Sequence, residues 1–256
     1  MAKRTGVDEF KLIGLLWRDS PVSPRSGIST QSVTTLAVDL ADREGLDAVT
    51  IRRLAEEAGV TAMALYPHIG GRAELVELML DQVAGVTYEA VTIPEGADWR
   101  ERVTALAEAN WASCQAHPWI TDLATGRPVP GPGASTKYET ELRALDGIGL
   151  TDIEMEHTLT ALLSLVQGTA RATRAAQDSR LPGEDHDTDW WSNIEPALTN
   201  AIGDQTRFPT ASRVSRTLGE QTGKANDPEG AYRRGVGLIL DGIAKCLGTP
   251  TSGNGR

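Results

Sequence analysis

At 256 residues, 40% of them hydrophobic, the chain can build one large or two modest domains, and its net charge of −10 argues against a nonspecific nucleic-acid binder with a broad basic surface. Its two cysteines, Cys114 and Cys246, are far apart and form no CxxC pair, which leaves no disulfide framework. No apolar run is long enough for a signal peptide or a membrane span, so the expectation is a reduced, soluble, cytoplasmic protein without membrane partners.

The first element is a short amphipathic run, Asp8 to Arg18, followed by SPVSPRSG, whose two prolines and glycine break any helix. Residues 1–27 carry Lys3, Arg4, Lys11, Arg18 and Arg25 against three carboxylates and read as an N-terminal extension. Such an arm packs on the first helix, reaches a DNA backbone or stays disordered. The next stretch, LDAVTIRRLAEEAGVTAMALYPHIGGR, reads as two short helices about a tight glycine turn. Thr50 caps the first, and Ile51, Leu54, Ala55 and Ala58 recur on its inward face. Gly59 stops that helix, Val60 plugs the corner and Thr61 caps the second helix, whose inward positions are Leu65 and Ile69. Arg52, Ala62, Met63, Ala64, Tyr66 and His68 are left facing outward. Pro67 lacks an N–H and disfavours an α conformation at Tyr66, so the second helix is expected to end or tighten there. Spacing alone also fits an ordinary helical hairpin that never touches nucleic acid.

A helix from Arg72 to about Glu89, with Leu75, Leu78, Met79, Val83 and Val86 on one face, joins this unit to the rest. From Asp98 onward the pattern is helical throughout. Helices are predicted over 98–116, stopped by His117-Pro118, then over 134–145, 152–177, 190–202, 209–217 and 227–247. A proline-rich loop, TGRPVPGPG, precedes the second of these, and residues 178–188 read as a polar loop. The tail TPTSGNGR is predicted to be disordered.

From Ile28 to Val83 the chain resembles the DNA-binding domain of the TetR family of transcriptional repressors. GVTAMALYPHIGGRAEL is similar, position for position, to that family's turn, recognition helix and following helix start, and Ser29 to Leu46 matches its first helix and glycine exit. The segments WRERVTALAEANWASCQAHPWITDL, GPGASTKYETELRALDGIGLTDIE and YRRGVGLILDGI resemble the C-terminal domain of one branch of the family, through less specific packing patterns. The resemblance implies an all-α fold. An N-terminal helix-turn-helix three-helix domain (28–89) would follow the extension (1–27), and a C-terminal helical ligand-binding and dimerisation domain (90–248) would precede the tail (249–256).

By the same resemblance, Arg52, Tyr66, His68 and Arg72 match the family's DNA-contacting positions, and Thr50, Thr61, Ala62, Met63 and Ala64 complete the candidate surface. Arg52 is the strong bidentate donor there and could read guanine O6 and N7, while Tyr66 and His68 can donate to phosphate oxygens. Arg72 opens the next helix, where backbone N–H groups add to its attraction for phosphate. Ala62, Met63 and Ala64 can touch thymine methyls but form no bidentate hydrogen bonds. The charge opposes this reading locally as well, because residues 28–83 set four arginines against nine carboxylates.

In the C-terminal half, Trp111, Trp119, Tyr138, Met155, Leu159, Leu162 and Gln167 form an aromatic and aliphatic set with one amide. Core packing explains most of them; the resemblance implies that a small-molecule effector binds there, with Gln167 as a polar anchor. Trp190 and Trp191 either close over one end or are plain packing. Gly168, Ala172 and Ala175 on one helix and Gly235, Ile239 and Gly242 on another could pack within one chain. The resemblance puts these two helices in a four-helix dimer interface, and a single recognition helix reads too few bases for useful specificity.

No GxSxG, P-loop, HExxH or dinucleotide fingerprint occurs, so no enzyme, cofactor or metal is expected. Cys114 and His117, at i and i+3, lack a third ligand, and His157 beside Glu154 and Glu156 is a solvated helix edge. The reading is a homodimeric, ligand-responsive repressor that binds a palindromic double-stranded DNA operator. Its rival is an all-α small-molecule-binding or enzymatic protein whose helix-turn-helix no longer binds DNA, suggested by the acidic charge and Pro67.

Overall fold

In a computed structural model, residues 8–18, 27–91, 93, 96–123, 127–178, 194, 196–198, 200–201 and 207–248 are described, and among them there is no β-strand. Helix α1 spans Glu9–Trp17 and starts where the Asp8 carboxylate accepts the Lys11 N–H. Helix α2, Thr30–Glu44, opens on a reciprocal Ser29–Ser32 cap and ends at Gly45, whose φ of 85° favours glycine. After a 3₁₀ turn at Leu46–Ala48 come α3 (Ile51–Glu57), α4 (Ala62–Ile69) and α5 (Arg72–Val86).

The C-terminal half continues with α6 (Trp99–Ala116), capped reciprocally by Asp98 and Glu101, and a 3₁₀ turn at Pro118–Asp122. It is completed by α7 (Pro132–Leu145), α8 (Asp152–Asp178), α9 (Pro209–Thr222) and α10 (Pro228–Gly248). Helix α7 begins two positions earlier than expected because Pro132 is preformed for a first helical turn. Helix α9 runs on past the expected end at Thr217. Lys3, Arg4, Arg25, residues 179–188, Trp190, Trp191 and the tail lie outside the described residues.

Two apolar clusters organise the molecule. In the first, Leu40, Leu54, Leu65, Ile69, Leu75 and Met79 are sealed from solvent, each contributing about 1.5–3 kcal/mol by burial. Leu12, Leu15 and Leu16 of α1 belong to this cluster, so residues 9–17 are part of the N-terminal domain's core rather than a detached arm. Trp119 and Leu123 enter it from the 3₁₀ turn after α6. The second cluster joins α6, α8 and α10 through Val103, Leu159, Leu162, Val166, Val236, Leu240 and Ile243.

Helix α5 is shared by both halves. Its Gly85 meets α7 at Gly133 so closely that a Cβ at position 85 would lie 3.3 Å from the Gly133 Cα. The N-cap position of α7 is Gly131, which offers no side chain, and Asp81 of α5 supplies the missing acceptor. Its carboxylate takes the N–H groups of Gly133 at 3.2 Å and Ala134 at 2.8 Å. Burial pushes the Asp81 carboxyl up, against the pull of those two bonds. Two turns further along, Glu141 of α7 is only 2% exposed. It accepts the Tyr88 hydroxyl at 2.6 Å and the Asn110 amide at 3.2 Å, and pairs with Lys137. Burial and the neighbouring carboxylate push the Tyr88 phenol far above its usual range.

Candidate nucleic-acid interface

The two-helix unit is built as its residues require. The Thr50 hydroxyl accepts the Arg53 N–H, Gly59 turns the chain at φ 67°, and Val60 packs against the first cluster. Thr61 stands at the N-cap of α4, but its hydroxyl makes no capping bond; its carbonyl accepts the Ala64 N–H at 2.9 Å. Leu65 and Ile69 point inward, while Met63 is 76% exposed and Tyr66 is 43% exposed. Ala62 and Ala64 are half-buried and rest against the first cluster, so Met63 and Tyr66 project furthest from the α4 face.

Helix α4 does not end at Tyr66. It continues to Ile69 with Pro67 inside it, and the Gly70 N–H closes on the Tyr66 carbonyl at 2.9 Å. The proline removes one donor to the Met63 carbonyl, on a residue that is itself largely exposed.

Arg52 is outermost among the cationic candidates, with its side chain 89% exposed and its Nε on Glu56 at 2.9 Å. An exposed i,i+4 pair of this kind is worth about 0–1 kcal/mol, so the guanidinium can exchange partners at little cost. Arg53 and Arg43 are occupied differently, tied to Glu44 and Glu57 in one network on the side toward α2. Arg72 has a half-exposed side chain, and two of its N–H groups are taken within the chain. Its Nε donates to the Val49 carbonyl at 3.0 Å and its Nη2 to the Leu46 carbonyl at 3.1 Å, so it holds the turn that leads into α3.

His68 is partly buried, and burial first, then the charge of Arg18, lowers its pKa below the ordinary 6.5. The imidazole is therefore neutral at neutral pH and can offer a hydrogen bond but no charge to a phosphate. In the unfolded chain it takes up a proton at a higher pH than in the folded one. Its contribution to stability is thus whole above about pH 6.5 and is lost as the pH falls through that value toward the folded pKa. Urea midpoints at pH 7.5 and pH 5 should converge in His68→Gln relative to the unaltered chain, and an equal acid-side loss in both would refute the assignment.

The C-terminal candidates do not share one cavity. Trp111 stacks on Tyr232 with ring centroids 4.2 Å apart, and Met155, Leu159 and Leu162 pack in the same cluster. Trp119 lies in the other cluster, where its Nε1 donates to Asp42 of α2 at 2.7 Å. Tyr138 is half-exposed and donates to Glu156 at 2.6 Å. Gln167 is exposed on α8: Val166 and Ala170 take the inward face, and the 100° step per residue turns Gln167 away from Trp111. Within this chain Gln167 therefore does not stand beside Trp111. A cavity of about 630 Å³ opens instead between the halves, lined by Asp42, Leu46, Trp119, Asp122, Arg171 and Arg174 among others.

Of the small residues, Gly168, Ala175 and Gly242 lie exposed on α8 and α10, and Ala172 is half-buried. Gly235 has an intrachain role, since a Cβ there would come within 2.6 Å of Leu165 of α8, and Ile239 packs on the second cluster. Cys114 is buried, which pushes its thiol up to about 11, and His117 turns to Asp42 at 2.9 Å. Among the described residues no three groups are placed to hold a metal, and no helix is long and apolar enough to cross a membrane.

Sequence reasoning missed Asp42, Asn110 and Glu141. The Lys137–Glu141 spacing of four was visible, but nothing local marks that pair as buried.

Two family models match. "Bacterial regulatory proteins, tetR family" covers residues 33–79, and "Tetracyclin repressor-like, C-terminal domain" covers residues 93–247. The HTH-type transcriptional repressor DrrR1 of Streptomyces coeruleorubidus is 31% identical over 239 residues, 92% of this chain and 86% of that protein. The tetracycline repressor protein class C of Escherichia coli is 24% identical, over 85% of this chain and 91% of its own length. Among solved structures, Streptomyces coelicolor ActR in complex with actinorhodin superposes with a TM-score of 0.69 at 25% identity, covering 87% of this chain and 99% of that one. With the helix-turn-helix at one end, the helical domain at the other and both matched along their length, the chain belongs to the TetR family of bacterial transcriptional regulators.

Proposed function

We propose that the chain is a DNA-binding, ligand-responsive repressor that works as a homodimer on a palindromic operator. The observation that carries the reading is the division of the α3–α4 unit. Leu54, Leu65 and Ile69 are fully withdrawn into the core, while Arg52, Met63 and Tyr66 are left exposed on the packed unit. Arg52 would read a guanine edge, Met63 would contact a thymine methyl, and Tyr66 and neutral His68 would position the backbone. The negative net charge favours such a specific mode over general adhesion to phosphate.

The exposed strip of Gly168, Ala175 and Gly242 on α8 and α10 is the proposed face for the second copy, which supplies the second recognition helix. The proposed effector is a mainly apolar small molecule held in the C-terminal domain; the actinorhodin complex of ActR is a precedent for a ligand in this fold. An effector that prefers the DNA-incompetent spacing of the two recognition helices shifts the population that way, and DNA weakens effector binding by the same factor.

The test begins with a duplex selected by the purified full-length protein from a random library. Arg52→Ala should cost about 1–3 kcal/mol on that duplex and relax preference at one base per half-site. An equal loss on random DNA would make Arg52 a phosphate contact, and failure of the unaltered protein to enrich any duplex would overturn the reading.

A further inference from the structure

Helix α4 is short and depends on outside support for its last turn. Eight residues are too few to hold a helix by local bonds alone, and Pro67 removes one of those bonds. The last carbonyls of any helix have no partner within it, and here each is met. Gly70 donates to Tyr66 at 2.9 Å and Gly71 to Ile69 at 2.9 Å, both from the chain's own exit. The other two carbonyls are met from elsewhere in the chain. Arg18 donates through Nη2 to the Pro67 carbonyl at 2.8 Å, and Thr30 donates through Oγ1 to the His68 carbonyl at 2.9 Å. The same Arg18 nitrogen reaches the Thr30 hydroxyl at 3.3 Å, so the three groups form one chain of bonds. A guanidinium at a helix C-terminus also meets the negative end of the helix dipole.

Arg18 is itself held in place. It follows directly on α1, whose Leu12, Leu15 and Leu16 are buried in the N-terminal core. A Cβ built on Gly70, at the exit of α4, would stand 3.2 Å from the Leu15 Cδ1, so α1 lies against that exit. On the other side Trp17 donates through Nε1 to the Pro130 carbonyl at 2.7 Å, just ahead of α7. The residue that grips the end of α4 therefore hangs from a helix fixed to both halves of the molecule, and it precedes the stretch matched by the family's DNA-binding model.

We propose that Arg18 is a positioning residue for DNA reading: by holding the Pro67 carbonyl and, through Thr30, the His68 carbonyl, it fixes the direction in which Tyr66 and His68 leave α4. This rests on the DNA-reading role proposed above for α4. Arg18 touches no base in this role; it sets the angle of the residues that do.

The experiment uses the full chain and the duplex selected by the unaltered protein, with Arg18→Gln and Arg18→Lys as variants. Arg18→Gln should lower affinity for the selected duplex by about ten-fold, because an α4 end left loose in the free protein must then be ordered on binding. Preference among single-base variants of that duplex should flatten and the melting temperature fall by no more than a few degrees, while affinity for random duplex stays close to that of the unaltered chain. Arg18→Lys, which keeps a donor and the charge, should recover part of the preference. In the free protein, hydrogen exchange at the Gly70 and Gly71 amides should quicken in Arg18→Gln, which reads the grip without DNA. Unchanged exchange and unchanged base preference would overturn the proposal even where the unaltered protein selects DNA normally. Equal losses on selected and random duplex would overturn it too, because they mark Arg18 as a phosphate contact. An unaltered protein that selects no duplex would remove the DNA-reading role on which the proposal stands.

Discussion

Gly133→Val should cost about 3 kcal/mol of stability and lower the melting temperature by roughly 6–12 °C. A Cβ at this position overlaps the backbone carbonyl oxygen of Asp81 and stands 3.0 Å from the Gly85 amide nitrogen. Both are main-chain atoms of α5, so no side chain can rotate aside and the helices must separate. Separation would also draw the Gly133 and Ala134 amides off the Asp81 carboxylate, leaving a buried acceptor short of donors. Gly168→Ala is the contrast, since nothing lies within 4 Å of a Cβ there and alanine favours helix by up to about 1 kcal/mol. Thermal melts of the two variants should move in opposite directions for the isolated chain, and a Gly133→Val midpoint equal to that of the unaltered chain would contradict the close crossing. If Gly168→Ala weakens self-association at the same time, its open face is the one the second copy covers.

The second large effect is expected at Glu141. Glu141→Leu removes the acceptor shared by Tyr88, Asn110 and Lys137, and strands a lysine whose side chain is only 18% exposed. Removing one partner of a buried pair typically costs about 3–5 kcal/mol, mostly from the charge left behind. The double variant Glu141→Leu with Lys137→Met should therefore recover much of the loss, a coupling that urea melts of the four proteins would measure. If the single variant loses less than about 1 kcal/mol, Lys137 reaches water and the network is not closed.

Much of the fold was legible because its signals are local. Thr50, Gly59, Leu65 and Ile69 announce the two-helix unit by spacing and capping chemistry, and each takes its expected place except the Thr61 hydroxyl, which caps nothing. What failed depended on partners far away in sequence. Spacing groups Trp119 with Trp111, yet the break at His117-Pro118 turns it toward Asp42, seventy-seven positions away. Arg72 starts a helix, which suggests a phosphate ligand, and only the folded loop shows that two of its five N–H donors also hold Leu46 and Val49. Gln167 departs from the expected face for a smaller reason: one residue on a helix is 100° of rotation, and the inward position goes to its neighbour Val166. Pro67 is expected to end or tighten the helix near Tyr66, but α4 runs on to Ile69, and the Pro67 carbonyl finds Arg18.

The crossing of Gly85 over Gly133 has a mechanical meaning. Most helix contacts are cushioned by side chains, whose torsions absorb small displacements before the main chain feels them. Where two backbones touch, that compliance is missing and the joint is stiff. A tilt of α7 is then carried into α5 without damping, and the other end of α5 is Arg72, whose guanidinium grips the Leu46–Val49 turn ahead of α3. Stiffness at one end and a hydrogen-bonded clasp at the other make α5 a rod rather than a tether.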